Sequence, residues 1–246
     1  MSTSPNSSTS LIGIETEKNK EEKRKNPVQH YVKFSFVLTY ILLLTTGTIT
    51  FIEAIRTQIP AVRHIMNLET AISVIAGYFY SVFVTQIDKF DQDDKPIDWK
   101  DISKTRYVDW AITTPLMLLV LCSVLGLNTN VKVKGLTILS IVALNYMMLY
   151  TGYLGEVGQL GRLASMVIGF VPFIIMFSII FTVFVLPKYV YANYALFTVF
   201  VSIWALYGVV YMLSEEYKNI AMNILECIAK CFVGIGLLMY YTKTIT

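Results

Sequence analysis

Asn223-Ile-Leu-Glu226-Cys-Ile-Ala-Lys230-Cys-Phe-Val-Gly-Ile-Gly-Leu-Leu-Met-Tyr240 belongs to a stretch long and apolar enough to cross a bilayer as a helix, yet a lysine sits in its middle. A charged ammonium at the bilayer centre costs roughly 3 kcal/mol or more on insertion scales. It must be paired, neutralised or chemically modified. Glu226 lies four residues before Lys230, so both side chains fall on one helix face. Two readings stay open on this stretch alone. One is a buried Lys–Glu pair that holds a bundle together. The other is an amine that forms a Schiff base with a carbonyl cofactor.

The rest of the chain has the composition this stretch requires. Its 246 residues are 55% hydrophobic and 15% charged, with a mean hydropathy of +0.58. Soluble domains carry about 25% charge, so the chain reads as a polytopic membrane protein. A net charge of +3, dispersed along the sequence, excludes a nucleic-acid partner. Cys122, Cys227 and Cys231 all lie in apolar segments and read as buried thiols, not as a disulfide framework or a metal site.

Seven apolar stretches, each near the roughly 20 residues a bilayer needs, run from about Gln29 to Ile55, Arg63 to Ile87, Lys104 to Leu127, Val133 to Tyr153, Gly161 to Leu186, Tyr191 to Leu213 and Lys218 to Tyr241. Connections are short except the acidic, polar segment Asp88–Lys104. Sequential neighbours should therefore pack antiparallel as one all-α seven-helix bundle. Residues 1–28 form a polar segment, disordered or a short polar helix, without the apolar core of a cleaved signal peptide. Residues 29–246 form the bundle domain.

Loop charge sets the expected orientation. The connections after the first, third and fifth stretches, with the C-terminal tail, carry Arg56, Arg63, Lys132, Lys134, Lys188 and Lys243. The alternate connections carry Asp88, Asp91, Asp93, Asp94, Asp98, Asp101, Glu156, Glu215 and Glu216. The C-terminus is expected in the cytoplasm and the N-terminus outside.

The third stretch decides between the two readings of the lysine. It opens Arg106-Tyr-Val-Asp109-Trp-Ala-Ile-Thr113-Thr-Pro115, and Arg106, Asp109 and Thr113 recur at three and four residues, on one face. Charge on a membrane helix signals a functional site; a structural Arg106–Asp109 ion pair is the plain alternative. Taken with the lysine four residues after an acid, Arg-Tyr-x-Asp-Trp-x-x-Thr-Thr-Pro resembles the signatures of the microbial (type 1) rhodopsins. The resemblance spans all seven stretches. Trp204-Ala-Leu-Tyr207-Gly208-Val-Val-Tyr211 is similar to one aromatic wall of that family's retinal pocket, and Asn145-Tyr-Met-Met148-Leu-Tyr-Thr151-Gly152-Tyr-Leu-Gly-Glu to the opposite side. The Gly-Tyr-Leu-Gly-Glu run looks most like the proteorhodopsin and xanthorhodopsin branch, and a viral or algal rhodopsin is a further resemblance.

The resemblance implies all-trans retinal on Lys230 as a protonated Schiff base. Burial in apolar surroundings disfavours a charged imine, and a nearby carboxylate offsets that. Asp109 and Glu226 are the implied counterions and proton acceptor, a coupled set, with Arg106, Thr113, Tyr80 and Tyr207 in support. The pocket is implied to comprise Trp110, Thr114, Asn145, Met148, Gly152, Met166, Gly169, Phe173, Trp204, Tyr207, Gly208 and Tyr211.

The chain departs from the family at several positions. Glu226 stands where most members have aspartate, and Val120 where proton pumps carry a carboxylic acid that reprotonates the imine. Gly208 replaces a proline and is expected to loosen the sixth helix; Met166 replaces a tryptophan and Phe79 a histidine. His30 and His64 read as interfacial. Glu53, Glu69 and Asn223, with a threonine run over Thr39, Thr45, Thr46, Thr48 and Thr50, are candidates for an ion path along helices one, two, three and seven. Threonines that bond back to their own helix are the alternative for that run.

Three functions follow, none enzymatic. A light-gated cation channel is favoured, since passive flow needs no proton donor at Val120. An outward proton pump, with water or Glu69 replacing that donor, and a photosensor are the alternatives. The expected partners are the lipid bilayer, transported cations or protons and, by analogy with relatives, other copies in a trimer or pentamer. The expected location is the plasma membrane.

Overall fold

The structure, a computed structural model, describes residues 27–92 and 96–242. The polar N-terminal segment lies outside these residues up to position 26, as do Asp93, Asp94 and Lys243. Seven helices cross the molecule: α1 (Pro27–Arg56), α2 (Pro60–Gln92), α3 (Trp99–Thr129), α4 (Gly135–Glu156), α5 (Arg162–Val185), α6 (Tyr191–Val210) and α7 (Glu215–Tyr241). All seven are long and apolar enough to span a membrane. We call the side where α1 begins the N-face and the side where α7 ends the C-face.

Helices α2 and α3 extend well past the apolar stretches, so the long second connection is mostly helical. Asp98 caps α3, its carboxylate accepting from the backbone N–H of Lys100 at 3.0 Å and of Asp101 at 3.3 Å. Such a cap satisfies donors that the first turn leaves without a partner. At the other end Asn130, in the left-handed region at φ 59°, terminates α3. Helix α2 is held at its N-face end by Lys33 of α1, which pairs with Asp88 at 2.7 Å and Asp91 at 3.2 Å.

Burial is inverted relative to a soluble bundle. Leu136, Leu139, Tyr146, Met147 and Tyr150 of α4, and Val167, Val171 and Ile174 of α5, are exposed, as befits a surface facing lipid. The polar groups point inward instead. One apolar core joins α3, α5 and α6 around Met117, Leu121, Phe173, Phe177 and Trp204. A second joins α1 and α2 around Phe36, Leu43, Ala76, Tyr80 and Phe83. Two helices contain π-helical segments, Phe181–Val185 in α5 and Cys227–Phe232 in α7. The second carries Lys230. Single π turns of this kind commonly mark functional sites.

Candidate functional site

Lys230 lies in the middle of the bundle, 1% exposed. Its Nζ is 2.5 Å from Glu226 Oε2 and 3.1 Å from Asp109 Oδ2. Both carboxylates are buried as deeply as the lysine. Each is held by its own donors. Thr113 Oγ donates to the Asp109 backbone carbonyl at 2.9 Å and lies 3.3 Å from Asp109 Oδ1. Trp110 Nε1 donates to Glu226 Oε1 at 2.6 Å, and the Tyr207 hydroxyl donates to the same oxygen at 3.1 Å. Two carboxylates beside one ammonium leave an excess negative charge, and Arg106, buried on the N-face side of the cluster, supplies the balancing cation.

Arg106 does not form the ion pair with Asp109 that its spacing permits. Its guanidinium donates to the Tyr80 hydroxyl at 3.2 Å and to the side-chain oxygens of Asn219 and Asn223, both at 3.0 Å. Tyr80 in turn donates to Asn223 at 2.9 Å. Tyr80 therefore serves Arg106 and Asn223 and hydrogen-bonds neither carboxylate, whereas Tyr207 reaches Glu226.

Beside Lys230 opens a cleft between α3, α4, α5 and α6. Trp110, Thr114, Met148 and Gly152 line it from α3 and α4, Met166, Gly169 and Phe173 from α5, and Trp204, Tyr207, Gly208 and Tyr211 from α6 and its C-terminal turn. Asn145 stands behind this wall: its amide donates to Thr114 Oγ at 2.8 Å, and Thr114 donates to the Trp110 carbonyl at 2.6 Å. Tyr107, Met117, Leu149, Ser165, Phe170, Met222 and Ala229 also line the cleft, and the sequence reading missed them. Phe170 and Met166 share a helix face with Phe173, so helical spacing could have found Phe170.

Gly208 also has a packing role that its sequence did not suggest. A Cβ there would lie 2.5 Å from the Phe170 ring. The glycine admits an aromatic side chain from α5 into the cleft wall, and α6 stays helical through it to Val210.

Residues 30–245 match the family of bacteriorhodopsin-like proteins. The chain is a microbial rhodopsin. Among solved structures it is similar to the viral rhodopsin OLPVRII, with 43% identity, a TM-score of 0.80, and 87% of this chain and 99% of that one covered. It shares the fold of xanthorhodopsin, described as a light-driven ion pump with dual chromophore, at 19% identity and a TM-score of 0.72 over 86% of this chain and 92% of that one. The same holds for Acetabularia rhodopsin I, at 19% identity and a TM-score of 0.71 over 87% and 95%. No curated protein matches the chain by sequence.

A polar seam runs through this rhodopsin between α1, α2 and α7. Asn223 donates to Ser35 Oγ at 2.8 Å, and Cys227 Sγ lies 3.3 Å from Thr39 Oγ. Further toward the C-face, Thr50 and Thr70 hydroxyls are 3.0 Å apart. The threonine run thus divides. Thr39, Thr46 and Thr50 are buried in the seam, where Thr39 and Thr50 also bond back to Ser35 and Thr46, while Thr45 and Thr48 are exposed and bond back to Ile41 and Leu44. Glu69 is 3% exposed. Its carboxylate packs on Gly234, where a Cβ would lie 2.9 Å from Oε2, about one turn past Lys230. Among the described residues it has no hydrogen-bond partner. Glu53 is only half-buried, at the C-face end of α1. Val120 is fully buried in the core.

Proposed function

We propose that the chain holds all-trans retinal covalently on Lys230 and, when illuminated, conducts cations along the α1–α2–α3–α7 seam. The residues fit such a group. A flat polyene needs an apolar slot with aromatic faces that ends at a lysine, and the cleft has Trp110, Trp204, Tyr207 and Phe173 along it and Lys230 in its lining. When bound, retinal supplies light absorption, an isomerisation and a change of proton affinity at the Lys230 nitrogen. Asp109 and Glu226 balance the positive charge there, and Asp109 is within reach to take the proton. Trp110, Tyr207 and Thr113 fix the two carboxylates, and the apolar wall keeps water away.

The observation that carries the channel reading is the buried seam of hydroxyls, amides and one carboxylate beside Lys230. A path lined by such groups and by carboxylates favours cations. Passive flow also suits a chain with valine at position 120. The basic short loops support a cytoplasmic C-face.

A second reading, an outward proton pump, is favoured by Glu69. A buried carboxyl without a hydrogen-bond partner, packed on Gly234 one turn past Lys230 and on the side opposite Arg106, returns a proton to the lysine nitrogen in this reading. Voltage-clamped photocurrents from cells supplied with retinal separate the two. A channel current reverses at the cation equilibrium potential. A current that keeps its direction at every voltage overturns the channel reading in favour of the pump. A pigment without photocurrent overturns both.

A further inference from the structure

The Arg106 guanidinium is buried, yet every group it bonds is neutral: Tyr80, Asn219 and Asn223. Charged and titratable groups around it come from few directions. Tyr80 faces it from α2, Tyr107 and Asp109 lie on its own helix, Tyr207 approaches from α6, and Glu226 and Lys230 lie deeper on α7. No charged side chain of α1 faces it; Lys33 is engaged with Asp88 and Asp91 further toward the N-face. Two aromatic rings fill the remaining side. The Arg106 Cζ lies 5.3 Å from the Phe36 ring centroid and 5.1 Å from that of Phe83. Both rings are completely buried. They pack on each other at 5.2 Å and on Tyr80 at 5.7 and 5.3 Å, so their positions are over-determined.

We propose that Phe36 and Phe83 form an aromatic clamp that holds the Arg106 charge inward, toward Asp109 and Glu226. A ring face carries partial negative charge, and a guanidinium is attracted to it where water is excluded. The rings also close the N-face side of Arg106. Without them, a long flexible arginine on a helix near the membrane surface turns its head toward water, here toward the acidic ends of α2 and α3. Phe36 and Phe83 are thus positioning residues for the charge balance at Lys230. That role rests on the retinal reading; the clamp geometry itself does not.

The test pairs two measurements on Phe36→Met/Phe83→Met, which keeps apolar bulk and removes the ring faces. The first is NMR of arginine-labelled protein. Ring currents should displace the Arg106 guanidinium signals upfield, identified by their loss in Arg106→Gln, and the double variant should return them to ordinary positions. Wild-type signals without that displacement overturn the clamp, whether or not retinal binds. The second is acid titration of the visible colour. Moving a cation away from a carboxylate makes protonation easier, so the midpoint should move to higher pH by about one unit. Arg106→Gln should move it the same way, and adding the two phenylalanine changes to Arg106→Gln should shift it no further. A double variant that titrates like wild type while Arg106→Gln moves overturns the positioning role. Phe83→Tyr, which keeps a ring face, should stay at the wild-type midpoint; a shift there as large as the double variant's also overturns it. A wild-type protein that takes up no retinal sinks the retinal reading and leaves the NMR arm to judge the clamp.

Discussion

Lys230 touches two carboxylates that arrive by different routes. Glu226 is its neighbour on α7, and that contact was legible from a spacing of four. Asp109 comes from α3, and only the packing of α3 on α7 brings it to 3.1 Å. The Glu226 carboxylate meets Lys230 with Oε2 while Oε1 takes Trp110 and Tyr207. Spacing could not reveal the Trp110 bond, because an indole in an aromatic-rich motif reads as wall. At this scale, Lys230→Ala should leave a colourless protein when retinal is offered during expression. Asp109→Asn should red-shift the absorption band or deprotonate the imine at neutral pH. Spectra unchanged across a wide pH range would remove Asp109 from the counterion pair.

Helix α7 begins with a cluster that the sequence reading treated as a boundary. Lys218 is 1% exposed. Its Nζ is 2.9 and 2.7 Å from the two oxygens of Glu156 at the end of α4, and 2.8 Å from Glu215. Ser103 of α3 donates to Glu156 at 3.0 Å, and Arg162 of α5 pairs with Glu215. Two acids and two cations thereby join the ends of α4, α5 and α7 on the N-face, and Ser103 ties in α3. Removing one partner of a buried pair strands the other charge, which costs about 3–5 kcal/mol. Lys218→Met and Glu156→Gln should each lower the thermal midpoint of the purified protein strongly. Lys218→Met combined with Glu156→Leu should recover most of the loss, since replacing a whole buried pair by apolar groups is often neutral. Equal instability of the single and combined variants would refute the pairing as the cause.

Across the whole molecule, the two uses proposed for the seam and Glu69 lead to different measurements. Glu69→Gln discriminates between their uses. If Glu69 returns a proton, recovery of the resting colour after a flash should slow by about a hundredfold, and azide should restore it. If Glu69 only lines a path, recovery should stay normal while the reversal potential in mixed cation solutions shifts. A variant unchanged in both measurements would leave Glu69 without a part in transport.

The bundle itself was plain in the residues, because helix length and hydropathy are local properties that a bilayer enforces span by span. The lysine was conspicuous for the same reason: an ammonium amid hydrocarbon is costly, and its own helix offers only Glu226 to offset that. Most of the cleft wall was also legible, carried by motifs whose members lie within a turn or two of each other. Packing between helices decided the rest. It turned Arg106 from Asp109 to neutral partners and two rings, set Tyr80 away from the carboxylates, gave Gly208 to Phe170, and buried Lys218 with Glu156. Each of these joins residues distant along the chain, and which charge meets which ring or acid depends on how the helices are rotated against one another. Apolar periodicity constrains that rotation only loosely where lipid, not water, surrounds the bundle.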